Sequence, residues 1–241
     1  MPYRQQLSLI LIALAAVSLG SAATAQENNS VVLAREGQPV ATIVLAERPT
    51  CAAQFAAEEL RYHLQQVTGA VLPMATDAAP VAGPRILVGE SQQTAALQLP
   101  GEPLASQEYL IRFLPDTLVL IGKDADQLTA VQYDPDNPVG YATWPQLFSE
   151  QGTCYAVYDF LERYCGVRWF RPGELGTVCP QRATLTVSGP DVRRSLEFKY
   201  RYAYPQMGSS AYEQYTNLWN WGNRAPAEAA KVEEVEALAY P

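Results

Sequence analysis

The side chains that could act as acid, base or metal ligand are few and lie mainly on two predicted helices. Glu59 and His63 stand four residues apart, a spacing that places them side by side on one helix face. Asp159 and Glu162 stand on the polar side of the second helix. Because charged helix residues normally face water, we expect these side chains, and Glu58, to be solvated surface groups rather than a general base.

The sequence also lacks the common catalytic and metal-binding patterns. It contains no H-E-x-x-H, no G-x-S-x-G, no phosphate-binding loop and no dinucleotide-binding glycine pattern. His63 is the only histidine and there is no C-x-x-C, so we expect neither a metal nor a cofactor. Glycoside hydrolysis needs two carboxyl groups that face each other across a cleft. Since no such pair can be recognised, we expect no catalytic residue and no activity from this chain alone.

Four cysteines, Cys51, Cys154, Cys165 and Cys179, allow three pairings into disulfides. Cys154 and Cys165 stand eleven residues apart on one predicted helix. They are therefore ~16 Å apart along its axis, whereas a disulfide needs Cα atoms within ~7 Å. That pairing is excluded. Both residues also lie on the apolar stripe, where a free cysteine packs as a small hydrophobic side chain, so buried thiols and one or two disulfides both stay open.

The N-terminus has the pattern of an export signal. The first six residues carry one charge, the next thirteen are almost wholly apolar, and Ala23 and Ala25 supply the small side chains that a signal peptidase reads. The apolar run is shorter than the ~20 residues of a membrane span. We expect residues 1–25 to be removed, the mature chain to begin at Gln26, and the protein to be periplasmic or extracellular without a membrane anchor.

The charge balance narrows the choice of partners. The chain has a formal net charge of −8 and no run of Lys or Arg. Such a surface repels polyanions, so we exclude nucleic acid and anionic lipid as partners. A neutral glycan meets no such repulsion, and an aromatic content of 10% is compatible with sugar stacking and equally with an ordinary core.

Apolar periodicity predicts two amphipathic helices and about six strands. The first helix follows Thr50 as N-cap and ends at Gly69. Strands are expected at residues 40–46, 85–88, 109–113, 117–121, 167–170 and 183–187. The third and fourth form a hairpin. Two helices on a mostly antiparallel sheet make an α+β layer.

Residues 123–151 show no clear period. A connection of this length inside a compact domain is a functional loop or an insertion. Tyr133, Tyr141 and Trp144 could contact a glycan there, or could hold the loop to the body by burying their rings.

Residues 151–180, QGTCYAVYDFLERYCGVRWFRPGELGTVCP, combine the second helix, an aromatic strand and a turn. Apolar residues recur at helical spacing from Cys154 to Cys165, and Gly166 can end the helix in a left-handed conformation. β-Branched and aromatic residues at 167–170 favour a strand. The segment therefore predicts a buried helix that leads directly into a buried strand.

This segment resembles the end of the small N-terminal α/β domain that precedes the catalytic barrel in bacterial α-glucuronidase-like and β-hexosaminidase-like glycoside hydrolases. There the pattern runs roughly G-T-x-Y-A-V-Y-D-F-L-E, then R-W-aromatic, then P-G-E-x-G-T-V-x-P. The matching positions are Gly152, Thr153, Pro180 and residues 155–162, 168–170, 172–174 and 176–178. The matched positions are scaffold residues, so the resemblance implies an architecture more than an activity.

In those families the first barrel strand follows the domain and often carries F-x-x-R. Phe198-Lys199-Tyr200-Arg201 fits this pattern. The resemblance implies that Arg201 binds hydroxyls of a terminal sugar, a role that suits the guanidinium fork. The alternative is a strand arginine that faces solvent.

Together these features predict three parts. Residues 1–25 are the signal peptide, residues 31–189 a non-catalytic α/β domain like the second domain of hexosaminidases, and residues 190–241 a hinge, beginning at Arg193-Arg194, with an incomplete first unit of a (β/α) barrel.

The expected function is that of the non-catalytic N-terminal domain of an exported, α-glucuronidase-like glycoside hydrolase whose catalytic barrel is missing here. Its expected partner is a glycan or that barrel. The alternative is a stand-alone exported module that binds a carbohydrate or a protein. The sugar stays open between glucuronic acid and N-acetylhexosamine, since fold-level analogy does not choose a substrate.

Overall fold

The computed structural model describes residues 29–134, 143–146, 149–170 and 176–196. The predicted signal peptide, Tyr141, Arg201 and the rest of the predicted barrel start lie outside the described residues. The described part contains both predicted helices and all of the strands predicted up to residue 187.

Helices are interspersed among the strands up to α3, and short strands follow this last helix. In chain order the elements are β1 (Val31–Arg35), β2 (Gln38–Pro39), β3 (Thr42–Leu45), α1 (Cys51–Thr68), β4 (Met74–Thr76), β5 (Arg85–Val88), α2 (Gln92–Ala96), β6 (Glu108–Leu114), β7 (Thr117–Gly122), α3 (Gly152–Phe160), β8 (Arg168–Trp169), β9 (Thr177–Val178), β10 (Leu185–Val187) and β11 (Val192–Ser195). A π-helical turn, Leu161–Cys165, continues α3.

A six-stranded sheet with the order β11-β6-β7-β5-β3-β4 forms the centre of the fold. β6 and β7 make the predicted hairpin, and β11 pairs antiparallel with β6. The other pairings, from β7 through β5 and β3 to β4, are parallel. The α+β class is confirmed, but the sheet is mixed rather than mostly antiparallel, because α1 carries the chain from β3 across to β4, the crossover that parallel neighbours need.

The start of α1 and the ends of both helical segments follow the local chemistry that the sequence predicts. The Thr50 hydroxyl accepts a hydrogen bond from the Ala53 amide at 3.0 Å and caps α1. Gly69 ends α1 with a φ of 77°, and Gly166 ends the π-helical turn with the same φ. Positive φ is accessible to glycine without the steric cost of a Cβ.

The two long helices lie on one face of the central sheet. α3 packs on β6 and β7, α1 packs on β3, and the helices contact each other. In β7, Leu118 and Leu120 belong to the core beneath the helices, whereas Val119 and Ile121 belong to a second cluster with Leu99. Since alternate strand residues point to opposite faces, β7 is buried on both sides.

Two smaller antiparallel sheets complete the described part. One has the order β10-β1-β2, and the other consists of β8 and β9. β8 and β10 are the strands that the sequence predicts at residues 167–170 and 183–187. The prediction that the first of them is buried is wrong, because Arg168 is exposed, Trp169 is only partly buried and Phe170 is exposed.

β11 replaces the predicted start of the hinge. Arg193 and Arg194 pair with Leu110 and Tyr109 of β6, and the Arg193 Nε lies 2.9 Å from Oε1 of Glu108 in an ion pair. Three of the four β11 residues are exposed. The strand therefore lacks the apolar alternation by which sequence reasoning recognises a strand.

A chain that ends at Gly189 should be less stable than one that ends at Leu196. The shorter chain loses the pairing with β6, the Arg193–Glu108 ion pair and the partial burial of Leu196 against the core. We expect its free energy of unfolding to be lower by about 2 kcal/mol, measured by urea unfolding. Equal stabilities would show that β11 adds nothing to the domain.

Candidate functional site

The carboxyl group of Glu59 is the most buried acid of α1, contrary to the expectation of a solvated face. Glu59 is 1% exposed and His63 is fully buried. Their burial arises because α1 is covered on two sides, by the sheet and by α3 with the connection that precedes it. The pattern of apolar residues along α1 indicates the face that packs on the sheet, but it does not indicate the second face, which α3 and the preceding connection cover.

Glu59 receives a tyrosine hydroxyl at each of its two carboxylate oxygens. Tyr133, from the long connection after β7, donates to Oε1 at 2.5 Å, and Tyr158, from α3, donates to Oε2 at 3.0 Å. Burial, followed by the nearby charge of Glu59, raises the pKa of Tyr158 well above its ordinary value. The Tyr158 hydroxyl therefore stays protonated and remains a donor. One carboxylate joins three separate segments of the chain.

His63 extends this network to the strand after α3. Its Nε2 lies 3.3 Å from Nε1 of Trp169. Because an indole N–H can only donate, Nε2 must be the acceptor. Nδ1 then carries the proton and donates to the backbone oxygen of Glu59 at 2.8 Å. His63 is thus held as one neutral tautomer, and both ring nitrogens are occupied by internal bonds.

The aromatic residues of the long connection hold it to α1. Trp144 is 7% exposed, and its ring centroid lies 4.9 Å from that of Phe55. Its Nε1 donates to the Gln132 backbone oxygen at 2.9 Å. The Val131 amide, also in this connection, donates a hydrogen bond to Oε1 of Gln54 at 3.0 Å. For Trp144 and Tyr133, the structure favours attachment of the loop over contact with a glycan.

A second polar centre joins the first turns of the two long helices. Oδ2 of Asp124 accepts the hydroxyls of Thr50, at 2.9 Å, and Thr153, at 2.7 Å. Its Oδ1 accepts the Thr153 backbone amide at 2.9 Å. The N-cap of α3, Gln151, makes no side-chain capping bond. Asp124 therefore caps α3 from outside the helix, where a negative charge is favoured by the helix dipole.

Burial raises the pKa of Asp124 from its ordinary value of 3.8 to about 6. The hydrogen bonds from Thr153 and Thr50 act in the opposite direction, and the charge of Glu90 raises the pKa further. Although the residue as a whole is partly exposed, desolvation of its carboxyl group outweighs the three hydrogen bonds. The carboxyl group of Asp124 is thus desolvated, and the hydrogen bonds from Thr50 and Thr153 help to keep it charged at neutral pH.

The approach of α3 to the sheet at this point requires glycine. A Cβ on Gly152 would lie 2.5 Å from the backbone oxygen of Glu108 and from the Lys123 amide nitrogen. Any larger residue would push α3 away from β7, and the Thr153 amide would lose Asp124.

Other acids predicted to be solvated divide between two environments. Glu162 has an exposed side chain, as expected. Asp159 is only 13% exposed at its side chain; it accepts the Tyr109 hydroxyl at 2.9 Å and pairs with Arg163 at 2.6 Å. The burial of Asp159 could not be predicted, because the sequence does not show which face of α3 is covered by β6.

These arrangements tie elements together and leave no reactive group facing a cleft in the parts just described. Glu59, His63 and Asp124 each direct their polar atoms to internal partners. Across the described residues no cluster of three or more His, Cys, Asp or Glu could hold a metal ion. In the same residues no helix is long and apolar enough to cross a membrane. Arg201, the one predicted sugar-binding residue, lies outside the described residues.

Comparison with known proteins gives likenesses to solved structures only. No protein-family model and no curated protein matches the chain. Among solved structures, the chain is similar to a family GH115 4-O-methyl-α-glucuronidase with specificity for decorated arabinogalactans, with a TM-score of 0.43 and 18% sequence identity. The match covers 70% of this chain and 19% of that enzyme. This chain therefore spans about a fifth of the enzyme's length, and the stated specificity is a property of the enzyme.

Replacement of Glu59 should destabilise the protein far more than replacement of its neighbour. Glu59→Ala leaves the hydroxyls of Tyr133 and Tyr158 without their acceptor and opens a cavity, so we expect a loss of about 3 kcal/mol in the free energy of unfolding. Glu58→Ala removes only a partly exposed ion pair with Arg61 and should cost less than about 1 kcal/mol. Urea unfolding measures both. Similar losses would contradict the role assigned to Glu59.

Asp124 should make stability depend on pH between about 4 and 6. The folded-state pKa lies above the unfolded value, so the folded protein binds more protons in this window and the contribution of Asp124 falls as the pH rises through it. Relative to Asp124→Asn, the wild type should lose about 2 kcal/mol of stability from pH 4 to pH 7. Asp126→Asn, at a neighbouring exposed acid, is the control and should parallel the wild type. Parallel curves for wild type and Asp124→Asn would refute the raised pKa.

Proposed function

We propose that this chain serves as the non-catalytic N-terminal domain of an exported, α-glucuronidase-like glycoside hydrolase that acts in carbohydrate breakdown. In this proposal the signal peptide is removed before Gln26, the described domain corresponds to the second domain of hexosaminidases, and its partner is a catalytic barrel. The sugar is glucuronic acid or N-acetylhexosamine.

One observation carries the proposal: the residues that match the family pattern are those that hold the helices together. Gly152 and Thr153, the G-T of the pattern, permit the close approach of α3 and bind Asp124. Tyr158 binds Glu59, and Trp169 binds His63. The matching residues thus form internal contacts between the helices and the strands next to them. Such contacts stabilise a supporting domain, whereas residues of a catalytic cleft would have to face a substrate.

The end of the described chain supports the placement of a barrel beside this domain. β11 is an edge strand of the central sheet and is fixed there by the Arg193–Glu108 ion pair. The F-x-x-R pattern begins at Phe198, only three residues after β11 ends. A barrel that starts there would be joined to the domain without a long linker, and Arg201 would be its sugar-binding residue.

A second candidate, an exported module that binds a carbohydrate or a protein by itself, is favoured by the surface next to β8. Phe170 is 76% exposed and Val178, in the paired strand β9, is 50% exposed. A large exposed aromatic ring suits contact with a partner.

The purified full-length chain should hydrolyse neither aryl glucuronides nor aryl N-acetylglucosaminides. The reason is that Glu59 and Asp124 bind internal partners rather than face a cleft with a second carboxyl group. Turnover that survives repurification and disappears on substitution of a particular Asp or Glu would overturn the non-catalytic assignment.

The same preparation distinguishes the two candidates. Polysaccharide binding that is lost in Phe170→Ala, but kept in Leu128→Ala, would favour the binding module, since Leu128 is an exposed apolar residue elsewhere on the chain. Binding lost in Arg201→Ala would support the proposed role of that arginine. Absence of binding in the wild type would favour the supporting domain.

A further inference from the structure

The four cysteines occur as two neighbouring pairs. All four are thiols in this structure, three of them buried. Cys51 is the first residue of α1 and Cys154 lies in the first turn of α3. The thiol of Cys154 donates to the backbone oxygen of Ala52, the residue after Cys51, at 3.4 Å.

Asp124 brings the first pair together from the other side. Its Oδ2 accepts the hydroxyls of Thr50 and Thr153, and these are the residues immediately before Cys51 and Cys154. Two Thr-Cys sequences therefore meet at one carboxylate oxygen, so the two helix starts lie side by side at the cysteines.

The second pair lies at the opposite end of α3. Cys165 is the last residue of the π-helical turn and Cys179 directly follows β9. Gly166, which follows Cys165, lies close to Pro180, which follows Cys179: a Cβ on Gly166 would lie 3.2 Å from Cγ of Pro180. Cys179 packs against the core cluster that contains Cys165.

Crossed pairings do not fit this placement. Cys154 and Cys165 are separated by the length of one continuous helical segment, ~16 Å at the helical rise. The start of α1 at Cys51 lies beside Cys154, and the segment that contains Cys179 lies against the end of the π-helical turn through Pro180 and Gly166. A Cys51–Cys165 or Cys51–Cys179 bond would have to span that separation, which exceeds the reach of a disulfide.

We propose that the exported chain carries two disulfide bonds, Cys51–Cys154 and Cys165–Cys179. The proposal goes beyond the proposed function and rests only on its export, since disulfides persist in oxidising compartments. For each bond, a cysteine thiolate attacks the disulfide of a dithiol–disulfide oxidoreductase and forms a mixed disulfide. The second cysteine displaces the enzyme, which leaves as a dithiol that carries the two electrons and the two protons of the original thiols.

The burial of these thiols sets when the bonds form. Burial, and then the charge of Asp124, raises the pKa of Cys51 to about 11. Burial raises the pKa of Cys165 to about 12, although the charge of Arg182 lowers it, and a thiolate at Cys179 raises it further. Since the thiolate is the reactive species, the folded, reduced chain exchanges slowly. We therefore expect the bonds to form during folding, before Cys51, Cys154 and Cys165 are buried.

The pairing is tested on full-length chain exported to the bacterial periplasm, denatured and alkylated without reduction, digested and analysed by mass spectrometry. We expect linked peptides that contain Cys51 with Cys154 and Cys165 with Cys179. N-terminal sequencing of the same sample separates the two proposals. A chain that begins at Gln26 with four alkylated thiols, or with crossed pairs, overturns the disulfides while export stands.

A chain that keeps Met1 fails the export proposal, and the disulfides are then tested by refolding the denatured, reduced chain in a glutathione redox buffer. The same two linked peptides are expected, and four free thiols or crossed pairs would overturn the pairing.

The contribution of each bond is measured by thermal unfolding with and without reductant. Reduction of the wild type should lower the midpoint by on the order of 10 °C. In Cys51→Ala/Cys154→Ala the reductant should cause a smaller shift, because only the shorter Cys165–Cys179 loop remains to be opened. In Cys165→Ala/Cys179→Ala most of the shift should persist. The proposal would be contradicted by a folded wild type whose unfolding midpoint does not change with reductant and whose cysteines all react with an alkylating agent.

Discussion

The arrangement of both helices on the sheet depends on the carboxylate of Asp124. It lies just after β7 and binds Thr50, the N-cap of α1, together with the amide and hydroxyl of Thr153 in the first turn of α3. One acid thereby fixes two helix starts against the strand that precedes it. The interaction has a cost, because desolvation raises its pKa to about 6. The three hydrogen bonds from Thr50 and Thr153 offset only part of that cost.

Glu59 provides the second point of attachment between the same helices. It lies eight residues after Cys51, about 12 Å further along α1, and it binds Tyr158 of α3 as well as Tyr133. Two polar contacts this far apart fix both the separation and the rotation of the helices, which apolar packing alone leaves less precisely defined. The apolar core supplies the main stabilisation, and the polar contacts select one arrangement of it.

This division of roles is compatible with the proposed supporting function of the described domain. A catalytic acid needs a free face toward substrate, whereas Glu59 and Asp124 use their oxygens to bind the protein itself. The proposed disulfides would act at the same two places, the start and the end of α3, and would make permanent what the hydrogen bonds already arrange.

The sequence alone determined the elements whose causes are local. Thr50 and Gly69 bound α1, Gly166 ends the segment after α3, and the turn between β6 and β7 makes the hairpin, because caps, glycine conformations and tight turns act within a few residues. Only the tertiary structure decided which strands run parallel, that Arg193 lies in an edge strand, and that Glu59, His63 and Asp124 are brought into buried contacts. Those outcomes depend on partners 70 or more residues away for Glu59 and Asp124. The periodicity of apolar residues along a helix indicates one buried face, but it does not indicate whether another part of the chain covers a second face.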